Sequence, residues 1–193
     1  LNFSWYSAGK GTPAVKVWKD GSKSSAKVVT GNAESISAEN WQGKSYSAAN
    51  KVNIADYFEE NTQYHYQYTD NYTGDDSVWS AEYDYTTKAT DKFSVILTGD
   101  PQVGASGSSS DKSANDASVA RDAYNWNKTM QQALKTCPDA SFLLSAGDQI
   151  NQSGAAKDDD KKTRESEYAG YLYPSVFRSL PIAATIGNHD MAG

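Results

Sequence analysis

Short segments in which apolar and polar residues alternate fill roughly the first half of the chain. Because successive side chains of a strand point to opposite faces, this alternation is typical of strands with one buried face. Turn-forming residues such as Asp20-Gly21 separate several of the segments. Regularly spaced short strands predict an all-β sandwich over residues 1–88. The predicted strands lie at residues 2–6, 14–18, 26–30, 51–54, 63–69, 78–79 and 82–86.

The pattern changes near residue 88, and residues 89–193 predict an α/β domain. The continuous apolar run at residues 92–98 is typical of a strand buried on both faces, and further apolar runs at 141–146 and 181–186 predict two more strands. Between them, apolar residues spaced by three and four predict helices over 113–137 and 163–179. The order strand, helix, strand, helix, strand is typical of a parallel sheet with right-handed crossovers. We therefore predict two domains, a β-sandwich followed by a βαβαβ unit.

Polar side chains of the metal-ligand type follow each of the three predicted α/β strands. Asp100 follows the first strand, Asp148 the second, and Asn188-His189-Asp190 the third, each group directly after a glycine. The carboxyl ends of parallel strands meet at one edge of a sheet, where ligands bind. A single Gly-Asp pair is equally well explained as a turn, but three such strand ends predict a site. Carboxylate, amide and imidazole groups are ligands for divalent cations.

Composition and charge exclude several classes of partner and site. The net charge of −6 argues against nucleic acid or an anionic membrane surface as the main partner. No apolar run reaches the roughly 20 residues of a membrane span. The single cysteine, Cys137, excludes an internal disulfide framework and a cysteine-based zinc cluster. Scarce cysteine with many Tyr, Ser, Asn and Thr residues suggests an exported bacterial protein, at the cell surface or outside the cell.

The aromatic strand at residues 62–66, Thr-Gln-Tyr-His-Tyr, resembles the Thr-x-Tyr-x-Tyr strand of fibronectin type III domains. This resemblance implies that Tyr64 is a tyrosine-corner residue and that Phe58 packs beneath it. The predicted fold of this domain is thus a fibronectin III-like or immunoglobulin-like sandwich, and the alternative is an aromatic-rich strand in some other sandwich. We expect His65 to be a structural or surface residue. A glycan-binding face and a sandwich core would each account for the tryptophans at positions 5, 18, 41 and 79.

The motifs Gly-Asp, Gly-Asp and Gly-Asn-His-Asp, in this order, resemble the first three motifs of calcineurin-like metallophosphoesterases. A preceding sandwich resembles the architecture of purple acid phosphatases. The resemblance implies two divalent metal ions (Fe, Mn or Zn), with Asp100 on the first, Asp148 bridging both and Asn188 on the second. It also implies that His189 stabilises the transition state or protonates the leaving oxygen, while Asp190 orients His189. The implied reaction is metal-dependent hydrolysis of a phosphate ester.

The sequence departs from the family pattern at three points. Gln102 occupies the position of a histidine ligand in many relatives and predicts only a weak metal ligand. Asn151 stands where purple acid phosphatases have the tyrosine that binds ferric iron, which favours divalent metal. The family completes its centre with later histidines, some in a Gly-His-x-His motif, whereas this chain has only two histidines. We therefore expect this chain to be the N-terminal part of the catalytic domain, whose C-terminal remainder is a partner, possibly a separate chain.

Three functions are compatible with these residues. The first is a phosphomonoesterase or phosphodiesterase. In this case we expect the given chain, by itself, to bind metal weakly and not to turn over phosphate esters. The second is a non-catalytic protein that binds glycan or protein and carries a degenerate phosphoesterase-like domain. The third is an enzyme of another class with His189 and Asp190 as an acid/base pair, which leaves Asp100 and Asp148 without a role.

Overall fold

The computed structural model of the chain describes residues 1–107, 112–151 and 158–191, apart from the side chains of residues 112–114 and 158–162. Parts of the polar loops expected at residues 103–112 and after residue 151 lie outside the described residues. The chain divides into two compact units. One comprises Leu1–Ser37 with Tyr46–Lys92, and the other Ala38–Ser45 with Phe93–Gly193. The predicted division at residues 88 and 89 stays a prediction.

Two antiparallel sheets make up the first unit. One sheet has the order β1-β5-β4 and the other the order β3-β2-β6-β7. Short 3₁₀ helices at Lys23–Ser25 and Gly74–Asp76 lie in its connections. The strands are β1 (Asn2–Ser7), β2 (Ala14–Lys19), β3 (Lys27–Thr30), β4 (Asn32–Glu39), β5 (Ser45–Asn53), β6 (Gln63–Thr69) and β7 (Tyr83–Thr86).

Strand β4 was not predicted, because its sequence Asn-Ala-Glu-Ser-Ile-Ser-Ala-Glu offers only small or single apolar residues at alternate positions. The segment predicted at residues 51–54 is the end of the longer β5. Residues 78–79 are not a strand. Their apolar side chains belong instead to a loop in which Trp79 packs 6.0 Å from the ring of Tyr72.

Side chains from both sheets meet in one aromatic-rich core. Val15 and Val17 of β2, Val52 of β5 and Tyr64 of β6 are almost completely buried there. The Tyr64 hydroxyl accepts a hydrogen bond from the Glu59 amide (2.8 Å) and donates one to the carbonyl of residue 57 (3.4 Å). A hydroxyl bonded to the backbone a few residues upstream is the contact that defines a tyrosine corner. The first unit is thus a β-sandwich with its core closed between two sheets.

The second unit contains a three-stranded parallel sheet with two helices and a short 3₁₀ helix. The sheet order is β10-β9-β8, so that β9 lies in the centre. The predicted helix over 163–179 ends at residue 171, because Pro174 cannot continue it. The elements are β8 (Ser94–Thr98), α1 (Lys112–Thr136), β9 (Ala140–Ser145), α2 (Asp158–Tyr171), the 3₁₀ helix Ser175–Arg178 and β10 (Ile182–Ala184).

Only one face of this sheet is covered in the described residues. Ile96 and Leu143 belong to the core that the sheet shares with the helices, together with Val119 and Met130 of α1. On the opposite face Leu97 is 67% exposed, and other apolar side chains around it are exposed to varying degrees. The prediction that the strand at residues 92–98 is buried on both faces is therefore not met in the described residues. None of the described helices has both the length and the apolar character needed to cross a membrane.

Candidate functional site

The ends of β8 and β9 run side by side beyond the sheet. The backbone amide of Asp100 donates a hydrogen bond to the carbonyl of Gly147 (3.1 Å). The backbone amide of Gln102 donates one to the carbonyl of Asp148 (3.0 Å). The pairing continues as a parallel bridge at Val103. The backbone thus places the residues that follow the first two α/β strands next to each other.

The loop after β10 closes on the loop after β9. The backbone amide of His189 donates a hydrogen bond to Asp148 Oδ1 (2.9 Å). A Cβ atom at Gly147 would lie 2.8 Å from the Gly187 Cα, and a Cβ atom at Gly187 would collide with the Asp148 carboxylate. Glycine is therefore required at position 187 by this close approach. The Asp148 carboxylate is the point at which the two loops meet.

The backbone at this edge is strained at the predicted ligands. Asp100 (φ 58°), Gln102 (φ 36°) and Asp148 (φ 49°) adopt positive φ values, which side-chain-bearing residues seldom do. Only two other non-glycine residues in the described ranges share this conformation. Such strain persists where the surrounding structure enforces it, and it concentrates at functional sites.

The side chains at this edge provide part of a metal donor set. Asp100 and Asn188 are exposed, and Asp148 is half-buried. Two carboxylates and an amide oxygen suit a hard divalent cation. However, within the described ranges no three His, Cys, Asp or Glu side chains are grouped closely enough to hold a metal ion. The donor types fit the implied metal, whereas their number falls short of a two-ion centre.

Asp190 is 8% exposed and ties the strand-end loops together. Its carboxylate accepts hydrogen bonds from the backbone amides of Gln149 (2.9 Å) and Gly187 (2.9 Å), and from the Tyr168 hydroxyl (3.4 Å). Burial, together with the negative charge of Asp190, raises the pKa of Tyr168 to about 12. These contacts of Asp190 hold the loop that carries His189, and the predicted orientation of the imidazole by Asp190 stays a prediction.

The His189 imidazole is oriented by a backbone carbonyl. Its Nδ1 lies 2.6 Å from the carbonyl oxygen of Asn151. Because a carbonyl can only accept, Nδ1 carries the hydrogen of this bond and Nε2 is left for proton exchange. The Asn151 amide in turn donates to Glu167 Oε2 (3.1 Å). Asn151 thus contacts His189 and Glu167 through its backbone. The side chain at position 151 takes no part in the hydrogen bond with His189.

Sequence reasoning missed the residues that support these loops. The side-chain amide of Gln149, 5% exposed, donates to Ser145 Oγ (3.1 Å) and to the Thr185 carbonyl (2.9 Å), which joins β9 to the chain after β10. In α1, Asp122 accepts from the Gly104 amide (2.9 Å) and thereby anchors the loop after β8. Gln149 directly follows a predicted ligand, which is a signal of its role, whereas nothing in the local sequence marks Asp122.

The comparisons with known proteins support the fold. No family model matches the sequence, and no curated protein matches it. A solved structure, the purple acid phosphatase PPD1 isolated from yellow lupin (Lupinus luteus) seeds, matches with a TM-score of 0.56 and 17% sequence identity. The match covers 97% of this chain and 33% of that chain, so the chain spans about a third of the phosphatase. At this identity the likeness is one of fold alone.

Proposed function

We propose that the chain supplies the first half of the catalytic domain of a metallophosphoesterase, which hydrolyses phosphate monoesters or diesters at a dinuclear metal centre. The observation that carries this proposal is the meeting of three strand ends around Asp148. Its carboxylate accepts a hydrogen bond from the backbone amide of His189 after β10, and its carbonyl accepts one from the amide of Gln102 after β8. The strained backbone at Asp100 and Asp148 supports it. The likeness of fold to a purple acid phosphatase agrees with it.

Each strand end has a proposed part in the chemistry. Asp100, Asp148 and Asn188, with Gln102 as a weak donor, would hold the two divalent ions (Fe, Mn or Zn). Bound ions would supply Lewis acidity to the phosphoryl oxygens and acidify a bound water. His189, with Nδ1 held by a carbonyl, would present Nε2 to the leaving oxygen and give it a proton.

Asp190 would keep this geometry rather than take part in proton transfer. Its carboxylate accepts backbone amides on both sides of the site, at Gln149 and at Gly187. These contacts fix the loops after β9 and β10 relative to each other. Because the loop after β10 also carries Asn188 and His189, the buried carboxylate positions a proposed metal ligand and the proposed acid together.

The open sheet face points to a further layer of polypeptide. Phe93 (56% exposed), Val95 and Leu97 of the β8 region leave apolar surface in contact with solvent, which soluble proteins normally cover. We propose that the remainder of the catalytic domain, in the same polypeptide or as a separate chain, covers this face and adds the histidine ligands. This chain alone is then expected to bind metal weakly and to leave phosphate esters intact.

The first unit has its own place in the proposal. The contact of the Tyr64 hydroxyl with the upstream backbone supports a fibronectin type III-like sandwich at the N-terminal side of the catalytic domain. Export to the cell surface or beyond it is proposed from composition alone, since cysteine is scarce.

A second candidate is a non-catalytic binding protein with a degenerate phosphoesterase-like domain. The incomplete donor set of the described residues favours it, as do Gln102 and Asn151 at positions where relatives have stronger metal ligands. In this case glycan or protein would be the partner, and the strand-end loops would be only a structural remnant.

The two candidates are separated in a protein that contains this chain together with the remainder of its catalytic domain. We expect bound metal and turnover of p-nitrophenyl phosphate or bis-p-nitrophenyl phosphate. Asp148→Asn should lower kcat/KM by at least about 10³-fold, because the variant loses the charge of the bridging ligand. The matched control is Asp91→Asn, which makes the same change at an exposed position outside the site. An intact protein with neither bound metal nor turnover would rule out the enzyme.

A further inference from the structure

His65 is held between two carboxylates in the first unit. It lies on β6 with its side chain 14% exposed, opposite Trp18 of β2 and Asp84 of β7. Its Nδ1 is 2.7 Å from Asp84 Oδ1, and its Nε2 is 2.9 Å from Asp20 Oδ1. Asp20 lies in the turn after β2, and Asp84 lies on the edge strand of the sheet. The imidazole thus bridges two separate parts of the sandwich.

This geometry requires the charged form of the ring. A neutral imidazole has one N–H group, and the carboxylates of Asp20 and Asp84 are acceptors when ionised. Only the imidazolium donates to both at once. A neutral ring would face one carboxylate with a lone pair at hydrogen-bond distance, which is repulsive. The positions of the two acid groups therefore select the protonated state of His65.

The other charges around the ring strengthen this preference. Glu82 Oε1 lies 3.4 Å from Nδ1, so that three carboxylates face the imidazole. Lys23 lies next to this group: its Nζ pairs with Glu82 Oε2 (2.7 Å) and lies 4.8 Å above the ring of Trp18. Trp18 stacks against the imidazole at 5.8 Å and covers one of its faces. The carboxylates of Asp20, Glu82 and Asp84 thus surround the ring, and an imidazolium compensates part of their negative charge.

We propose that His65 is a pH-dependent clamp, which in its imidazolium form ties the turn after β2 to the edge strand β7 and releases both when it loses its proton. The clamp acts within the sandwich and is independent of the proposed phosphoesterase site. We therefore expect the edge strand β7 to be held more firmly at pH 6 than at pH 9.

The pH range of the clamp follows from the same contacts. The hydrogen bond with Asp20 raises the pKa of His65 above its ordinary value of 6.5, and Asp84 and Glu82 add to this effect, while burial opposes it. Since the folded-state pKa is raised, the stabilisation is fully present below about 6.5 and is lost as the pH rises through the folded-state value. A folded-state pKa that lies one unit above the unfolded-state value makes the unfolding equilibrium constant tenfold smaller at low pH.

The first test is a pH titration of the imidazole C2–H resonances of the unaltered chain by NMR. The chain has only two histidines, so the His189→Gln variant assigns the His65 signal by leaving it as the single resonance. We expect a midpoint above 6.5 for His65. A midpoint at or below 6.5 would overturn the proposal, and this measurement does not depend on the folding of a His65 variant.

The second test is amide hydrogen exchange of β7 at pH 6 and pH 9, corrected for the intrinsic exchange rates. We expect protection of β7 in the unaltered chain to fall several-fold at pH 9, and to be independent of pH in His65→Gln. Asp84→Asn should reduce the pH dependence, because one of the two carboxylates loses its charge. His189→Gln is the control and should behave like the unaltered chain. An equal pH dependence in His65→Gln and the unaltered chain would contradict the clamp.

Discussion

The two units of the molecule bury the apolar side chains of their sheets to different extents. In the first unit both sheets turn their apolar faces to one core, in which Val15 and Tyr64 are almost completely buried. In the second unit one face of the sheet is covered by helices, while the other leaves Leu97 67% exposed. Leu143 on the central strand has no exposed surface, although it is no more apolar than Leu97. An apolar run thus indicates a face that requires cover, and it does not say which polypeptide provides the cover.

The largest expected effect tests this difference on a pair of matched substitutions. Leu143→Ala removes a completely buried side chain and should destabilise the second unit by about 2–5 kcal/mol, because it leaves a cavity. Leu97→Ala makes the same chemical change on the open face and should cost less than about 0.5 kcal/mol in this chain. The free energy of unfolding of both variants is measured by urea denaturation, with hydrogen exchange of the β9 amides as the probe.

The same pair examines whether a further layer covers the open face. In a protein that includes the proposed remainder of the catalytic domain, the loss of stability caused by Leu97→Ala should rise toward that caused by Leu143→Ala. If Leu97→Ala stays without effect there, the open face is a true surface of the molecule and the proposed covering layer is wrong.

A smaller effect is expected for glycines at the strand ends. Gly187→Ala would push a methyl group into the Asp148 carboxylate. If the proposed function holds, it should lower the kcat/KM of the proposed complete enzyme by about 10²-fold, because the proposed metal ligand is displaced. Gly99→Ala is the control, since its Cβ would lie 3.6 Å from the nearest atom, the Ala146 Cβ. Equal activity of the two variants would show that the contact between the β9 and β10 loops is unimportant.

Much of the fold was predictable because its signals are local. Alternation along β2 and β6 and the continuous apolar runs of β8 and β9 place most strands correctly. Strand β4 was missed because a strand with small and polar residues has no apolar pattern. The end of α2 was placed too late although Pro174 was recognised, since the pattern of apolar residues continues beyond it into a 3₁₀ helix.

The candidate site was predictable only in part, because its support is not local. Strand-end motifs identify Asp100, Asp148 and Asn188 without any structure, and whether they bind metal stays a prediction. The contact of Asp190 with Tyr168 depends on how α2 packs, and its contacts with the amides of Gln149 and Gly187 depend on how the strand-end loops meet. No local pattern specifies either. The orientation of His189 by a carbonyl is likewise invisible in a sequence, since every residue has that group.

The smallest effect concerns the closed core of the first unit. Tyr64→Phe removes the hydroxyl that bonds the Glu59 amide and the carbonyl of residue 57, and should destabilise the sandwich by about 1 kcal/mol. Tyr85→Phe makes the same change in the same core, where the hydroxyl has no hydrogen bond among the described residues, and should have a smaller effect. Urea denaturation monitored by tryptophan fluorescence compares them. Equal losses would mean that Tyr64 contributes through its ring alone, and that the closed core depends on apolar packing rather than on the corner contact.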